Sequence, residues 1–145
     1  MHNFKTPVGY KKASYIVRQL LVKDLELDYS AIQNNIKLLQ QTPTPPMCGF
    51  WPTEDLSKED DLNDLIKHEK MHSNKEMFAY TILNKSETEC LGCIYIIPKK
   101  NNADVYYWIT KKVFDIDLNK VIDDDIKNWL KHKWYFQKIN FPGRE

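Results

Sequence analysis

The chain has no excess of charge of either sign: 21 lysines and arginines stand against 20 aspartates and glutamates in 145 residues. Without a net field, nothing recruits nucleic acid or an anionic membrane surface, and neither is expected as a partner. Long apolar runs are also missing. No stretch approaches the roughly 20 apolar residues that span a bilayer, and Met1 to Tyr10 carries no apolar segment of signal-peptide length, so the expected location is the cytoplasm. Cysteine is scarce and odd in number. Cys48, Cys90 and Cys93 have no framework spacing, which predicts free thiols in a reducing compartment. Repeats and low-complexity tracts are absent. A chain of this length has room for one core, so residues 1–145 are read as a single domain with residues 1–14 as a loose N-terminus.

What is present is a series of short elements. Residues 15–22 (YIVRQLLV) are β-branched and aromatic enough to predict a first strand. Asp28 is placed to cap a helix whose apolar positions Ile32, Ile36 and Leu39 recur at helical spacing and fail at residues 40–46. Four prolines, Pro43, Pro45, Pro46 and Pro52, surround Met47, Cys48, Gly49, Phe50 and Trp51. They predict a loop whose Trp51 either borders a pocket or anchors on the core. Ser57 is placed to cap a second helix with Leu62, Leu65 and Ile66 as its buried stripe, ending near Ser73 and Asn74. Three β runs follow, over residues 77–83, 90–97 and 104–110, and their short polar links predict an antiparallel meander. The middle run, CLGCIYII, is apolar on both faces and should be covered on both sides. Asp117 is placed to cap the most amphipathic helix, with Leu118, Val121, Ile122, Ile126, Trp129, Leu130 and Trp134 on one stripe. Residues 138–141 predict a last strand, and Pro142 and Gly143 end it. The class expected is α/β (α+β), a mixed, mainly antiparallel twisted sheet with helices on both faces.

Several local motifs carry chemistry. His68-Glu69-Lys70-Met71-His72 matches H-E-x-x-H, in which two histidines share a helix face around zinc and the glutamate activates a water. Its context supplies no third ligand, because a strand is predicted from Met77. A zinc hydrolase is therefore the least favoured reading, and no bound metal is expected. Cys90 and Cys93 fit C-x-x-C, but strand side chains three apart point to opposite faces, so they are read as two buried thiols. Glu54, Asp55, Glu59, Asp60 and Asp61 are read as the carboxylates of a helix N-terminus rather than a cation site. Tyr106, Tyr107 and Trp108 offer either a stacking surface for a ligand or a packed strand with cross-strand pairs.

The order strand, helix, helix, three-strand meander, crossover helix, strand resembles the GNAT acetyltransferases over residues 15–144. The runs Leu91-Gly92-Cys93-Ile94-Tyr95-Ile96, Val105-Tyr106-Tyr107-Trp108-Ile109 and Phe141-Pro142-Gly143-Arg144 are similar to a subgroup of short GNAT-like proteins. In that family the fourth strand and the next, parallel strand part, and the pantetheine arm of acetyl-CoA lies in the gap. The resemblance implies acetyl-CoA as cosubstrate between residues 104–110 and 138–141, and direct attack of an unknown small-molecule or peptide amine on the thioester. The implied contacts are Trp108, Ile109 and Thr110 through backbone groups and Lys111 and Lys112 through charge, with Asp104 or a water as base. The family holds the CoA pyrophosphate in a glycine-rich turn, a ready anion site. This chain has Lys111-Lys112-Val113-Phe114-Asp115-Ile116-Asp117 there, without glycine and with two carboxylates, so any CoA binding should be weak and limited at its phosphate end. The family's later helix and strands, with their frequent tyrosine acid, have no counterpart among these residues. The sheet edge they would cover is expected to be covered by a homodimer. The altered turn also keeps a second reading: a non-catalytic GNAT-fold module that binds another ligand or a partner chain through the same cleft.

Overall fold

The computed structural model describes residues 4–49 and 51–144. Phe50, one of the loop aromatics, lies outside them. Six strands form one sheet in chain order: β1 (Gly9–Lys11), β2 (Tyr15–Gln19), β3 (Phe78–Asn84), β4 (Cys90–Lys99), β5 (Asn102–Ile109) and β6 (Lys138–Asn140). Neighbours pair antiparallel from β1 to β5, and only β5 and β6 are parallel. The helices are α1 (Leu25–Gln33), α2 (Ile36–Gln40), α3 (Lys58–Ser73), α4 (Lys111–Asp115) and α5 (Asn119–Lys133). Short polar links suffice for antiparallel neighbours, whereas the parallel step needs the α4–α5 crossover. None of the described helices is long and apolar enough to cross a membrane.

The sheet divides two cores. On one face Ile122, Ile126, Trp129 and Leu130 of α5 pack on Val17, Tyr80, Ile94, Val105 and Tyr107. On the other, Ala31 and Ile32 of α1, Leu39 of α2 and Leu65 of α3 pack on Ile16, Ala79, Tyr95 and Trp108. The apolar β4 run lies between them, as its two-sided pattern predicts.

Several local expectations give way. Residues 9–11 are not loose but form β1, and Tyr80 donates its hydroxyl proton to Pro7 O at 2.6 Å. The first strand stops at Gln19, because Val22–Asp24 close a 3-10 turn. Asp28 caps nothing: it lies within α1 and is buried. The expected single helix breaks at Asn34 and Asn35, where the Asn35 amide donates to Ala31 O at 2.7 Å, the local competition that asparagine offers a helix. Ser57 does cap α3, in a capping box with Asp60. Its buried face, however, runs through Asp61, Leu65 and His72, while Ile66 is half exposed. Asp117 does not cap α5 either. It takes φ 57°, the left-handed conformation at the end of α4, with its N–H on Phe114 O. Asp and Asn tolerate that region better than other non-glycine residues, so the chain makes this turn without a glycine.

The candidate acyl-donor cleft and a buried polar cluster

β5 and β6 share only three pairs, Asn102 with Lys138, Ala103 with Ile139 and Asp104 with Asn140. Past Asn140 the last segment turns, closed by Arg144 N–H on Phe141 O at 3.0 Å. Gly143 takes φ 83° in this turn, and a Cβ there would lie 2.6 Å from Pro43 Cγ. β5 meanwhile continues to Ile109, so the two strands leave a wedge whose vertex is Asp104. Thr110 N–H bonds Leu91 O on the β4 side. By strand alternation the backbone groups of Tyr107 and Ile109 then face the wedge. Arg144 enters it: its Nη2 donates to Tyr107 O at 2.6 Å and its guanidinium lies 4.0 Å from the Tyr107 ring centroid. Clefts of about 320 and 220 Å³ flank this side chain, both lined by Ile109, Phe114 and Arg144. The larger also meets Asn119 and Lys120 at the start of α5, whose first-turn N–H groups have no partner within the helix.

The residues singled out in the sequence do not all converge on this wedge. Asp104 sits at the vertex, where Lys99 Nζ at 2.8 Å and the Asn140 amide at 3.2 Å hold its carboxyl below the usual range. Ile109 lines both clefts. Trp108 is buried on the opposite face, its indole N–H on Tyr95 Oη at 3.0 Å, so this aromatic packs the core. Thr110 is buried, with Oγ1 unpaired. Lys111 and Lys112 open onto a different cleft, against Ser30, Asn34 and Asn35. There Lys111 N–H donates to Asn35 Oδ1 at 2.8 Å, while the ammonium groups pair with Asp115 and Glu89. Arg144 belongs to the closing run that carries the resemblance, but the sequence assigned no site role to it or to Asn119 and Lys120 at the start of α5. They meet β5 only through tertiary structure.

On the α1/α3 face lies a second polar assembly. The H-E-x-x-H residues separate in function: His72 Nδ1 accepts Ala79 N–H at 3.1 Å, and Glu69 accepts Val22 N–H at 2.6 Å. His68 lies edge-on to Tyr95, its Nδ1 buried without a partner. Burial holds its pKa down, to about 4. Cys90 and Cys93, expected on opposite faces, lie on the same one. The pairing of β3 with β4 steps from Ile82–Gly92 to Leu83–Cys90, so Leu91 is an extra residue, a β-bulge that resets the alternation. Both thiols then meet Asp28, Cys93 Sγ lying 3.4 Å from Asp28 Oδ1. Asp61, read from sequence as one carboxylate of a helix N-terminus, turns inward beside Asp28. Burial and the neighbouring Asp28 raise its pKa to about 9. The signal for the bulge was Gly92, because a glycine inside a strand marks such a site.

No family model matches the chain, and no curated protein matches it by sequence. Solved structures match it by fold. A ribosomal-protein-S5-alanine acetyltransferase from Vibrio fischeri aligns with TM-score 0.66 and 15% identity, over 86% of this chain and 67% of that one. RimL, a ribosomal L7/L12 α-N-protein acetyltransferase solved with coenzyme A, gives 0.65 and 14%, over 88% and 69%. The microcin C7 self-immunity acetyltransferase MccE, solved with acetyl-CoA and AMP, gives 0.67 and 16%, over 89% and 71%. The apo form of RimL is matched over 64% of its length; this chain spans roughly two thirds of the structures it resembles.

Proposed function

From a chain with the fold of the GNAT acetyltransferases, we propose an acyl-CoA-dependent N-acyltransferase in which an amine attacks the thioester directly. The observation that carries this reading is the parting of β5 and β6 beyond Asp104 and Asn140, which turns the polar backbone of Tyr107 and Ile109 toward a cleft instead of a neighbouring strand. An extended pantetheine amide pairs with such groups as a strand would. The α5 start, whose first-turn N–H groups have no partner within the helix, lines the same cleft with Lys120, Arg144 and the Asp123 carboxylate. Lys120 also pairs with Asp124, so the helix N-terminus and Arg144 supply what attraction a phosphate finds there. Lys111 and Lys112, in the neighbouring cleft, contribute charge from a distance. In this reading Asp104 attracts the cationic acceptor, a small-molecule or peptide amine. Its depressed pKa makes it a weak proton acceptor, so the proton leaves through water.

A second reading, a non-catalytic GNAT-fold module, is favoured by Arg144 standing where the donor would lie. Calorimetric titration of the wild type and of Arg144→Ala with acetyl-CoA and with CoA separates the two. Removing the side chain frees Tyr107 O. On the roughly 0.5–1.5 kcal/mol scale of one hydrogen bond, affinity should rise about 2- to 12-fold. Binding that tightens in Arg144→Ala, with acetyl transfer to an amine, supports the enzyme. If neither protein binds either compound, the non-catalytic module stands.

A further inference from the structure

We propose that Asp28, Cys90 and Cys93 form a binding site for a borderline-soft divalent cation of the zinc class, tying α1 to the bulge of β4. One oxygen of Asp28 and the two sulfurs lie within 4.8 Å of one another, and all three residues are buried. Among the described residues, no other histidine, cysteine, aspartate or glutamate groups converge in this way. The 3.4 Å separation of Cys93 Sγ and Asp28 Oδ1 is close to the roughly 3.5 Å edge of a tetrahedron with metal–sulfur and metal–oxygen bonds of about 2.3 and 2.0 Å. Cys90 Sγ lies within 4.8 Å of both other donors, so bringing it to the roughly 3.8 Å sulfur–sulfur and 3.5 Å sulfur–oxygen edges of such a site takes side-chain movement on the order of an ångström. Two thiolates and one carboxylate select zinc over magnesium or calcium, which prefer all-oxygen sets.

Independent features support the assignment. Asp61 is 2% exposed, lies beside Asp28, and keeps Oδ2 buried with no partner. That is the arrangement of an outer residue orienting a ligating carboxylate. The trio lies beside surface clefts on two sides: Asp28 and Asp61 line a small cavity of about 20 Å³ shared with Trp51, and Cys90 lines the cleft against α1. The bulge at Leu91 is what brings the thiols together, since a regular strand would separate them. Binding exchanges the two thiol protons for the cation, and both protons leave to solvent. Nothing in this proposal depends on the acyltransferase reading.

The test is titration of the chelator-treated full chain with Co²⁺, followed by displacement with Zn²⁺. One equivalent should produce an intense near-ultraviolet thiolate-to-cobalt band and visible bands of tetrahedral strength, with about two protons released per cation in weakly buffered solution. Cys90→Ala and Cys93→Ala, small apolar replacements in an apolar setting, should each lose most of the thiolate band. Cys48→Ser should leave it unchanged. Asp28→Asn and Asp61→Asn, close in shape to the wild-type residues, should weaken binding, the latter by roughly 10–100-fold. Absence of the thiolate band from the wild type at millimolar Co²⁺, or its persistence in the doubly substituted Cys90→Ala, Cys93→Ala chain, would overturn the site. Release of less than one proton per cation by the wild type would do the same, and needs no variant to fold.

Discussion

His68 shows how one side chain ties stability to pH. In the folded chain it stays neutral to about pH 4, because burial disfavours its cation and the charge of Lys67 adds to the effect. In the unfolded chain it titrates near its ordinary value of about 6.5. Between those values the unfolded state takes up a proton that the folded state refuses. The contribution of neutral His68 is therefore complete above about pH 6.5 and is lost as pH falls toward 4, with a slope of up to about 1.4 kcal/mol per pH unit. His68→Phe keeps a ring against Tyr95 and has no proton to gain. Urea unfolding from pH 7 to 4 should show the wild type losing stability faster than His68→Phe; parallel curves would remove His68 from the account. Position 117 is the second residue-scale case. Its φ of 57° favours glycine, so Asp117→Gly should raise stability on the order of 1 kcal/mol in thermal unfolding. It should also tighten any CoA binding by removing a like charge, with a gain that shrinks in salt. A serine there would keep the strain, because position 117 is no helix cap.

At the scale of elements, the β4 bulge governs the α1/α3 face. A Cβ on Gly92 would lie 2.1 Å from Trp108 O, a backbone atom that cannot move without breaking the β4–β5 ladder. Gly92→Ala should cost at least about 2 kcal/mol in denaturant unfolding and disturb both thiols. An alanine variant of wild-type stability would mean that the bulge relaxes freely. α3 carries a related device: its inward face holds Asp61 and His72 as well as Leu65, and His72 meets the Ala79 N–H of β3 while Asp61 keeps Oδ2 without a partner. Most buried polar side chains have such partners, so the unpaired Asp61 oxygen stands out.

Across the whole molecule, the two outermost strands are short, although β5 beyond Asp104 also has no strand partner and meets Arg144 there instead. β1 and β6 have three residues each and carry Lys11 and Lys138, devices that blunt an edge against pairing. The homodimer expected from an open edge thus loses much of its driving force. At micromolar concentration the chain is expected to sediment as a 17.3 kDa monomer, and a species of twice that mass would restore the dimer. The wedge is likewise a property of the whole: β5 ends against the crossover helices, β6 ends in the Arg144 turn, and that turn rests on Pro43.

The sequence alone determined the order of the main elements from residue 15 onward, the two-faced burial of residues 90–97, the meander and the crossover, because periods of 2 and 3.6 are local properties that survive any arrangement of neighbours. It did not determine β1, the break between α1 and α2, or α4, because a three-residue edge strand or a five-residue helix is too short to show a period. It also carried the resemblance that led to the fold. Only the tertiary structure decided that Leu91 is an extra residue, which inverted the relation of Cys90 to Cys93, since a strand pattern is blind to a slip set by its partner's register. The same holds for the inward turn of Asp61 and for Arg144 in the wedge. It holds too for Lys111 and Lys112 opening onto another cleft: each depends on a hydrogen-bond partner or a packing surface dozens of residues away in the chain, which no local pattern encodes.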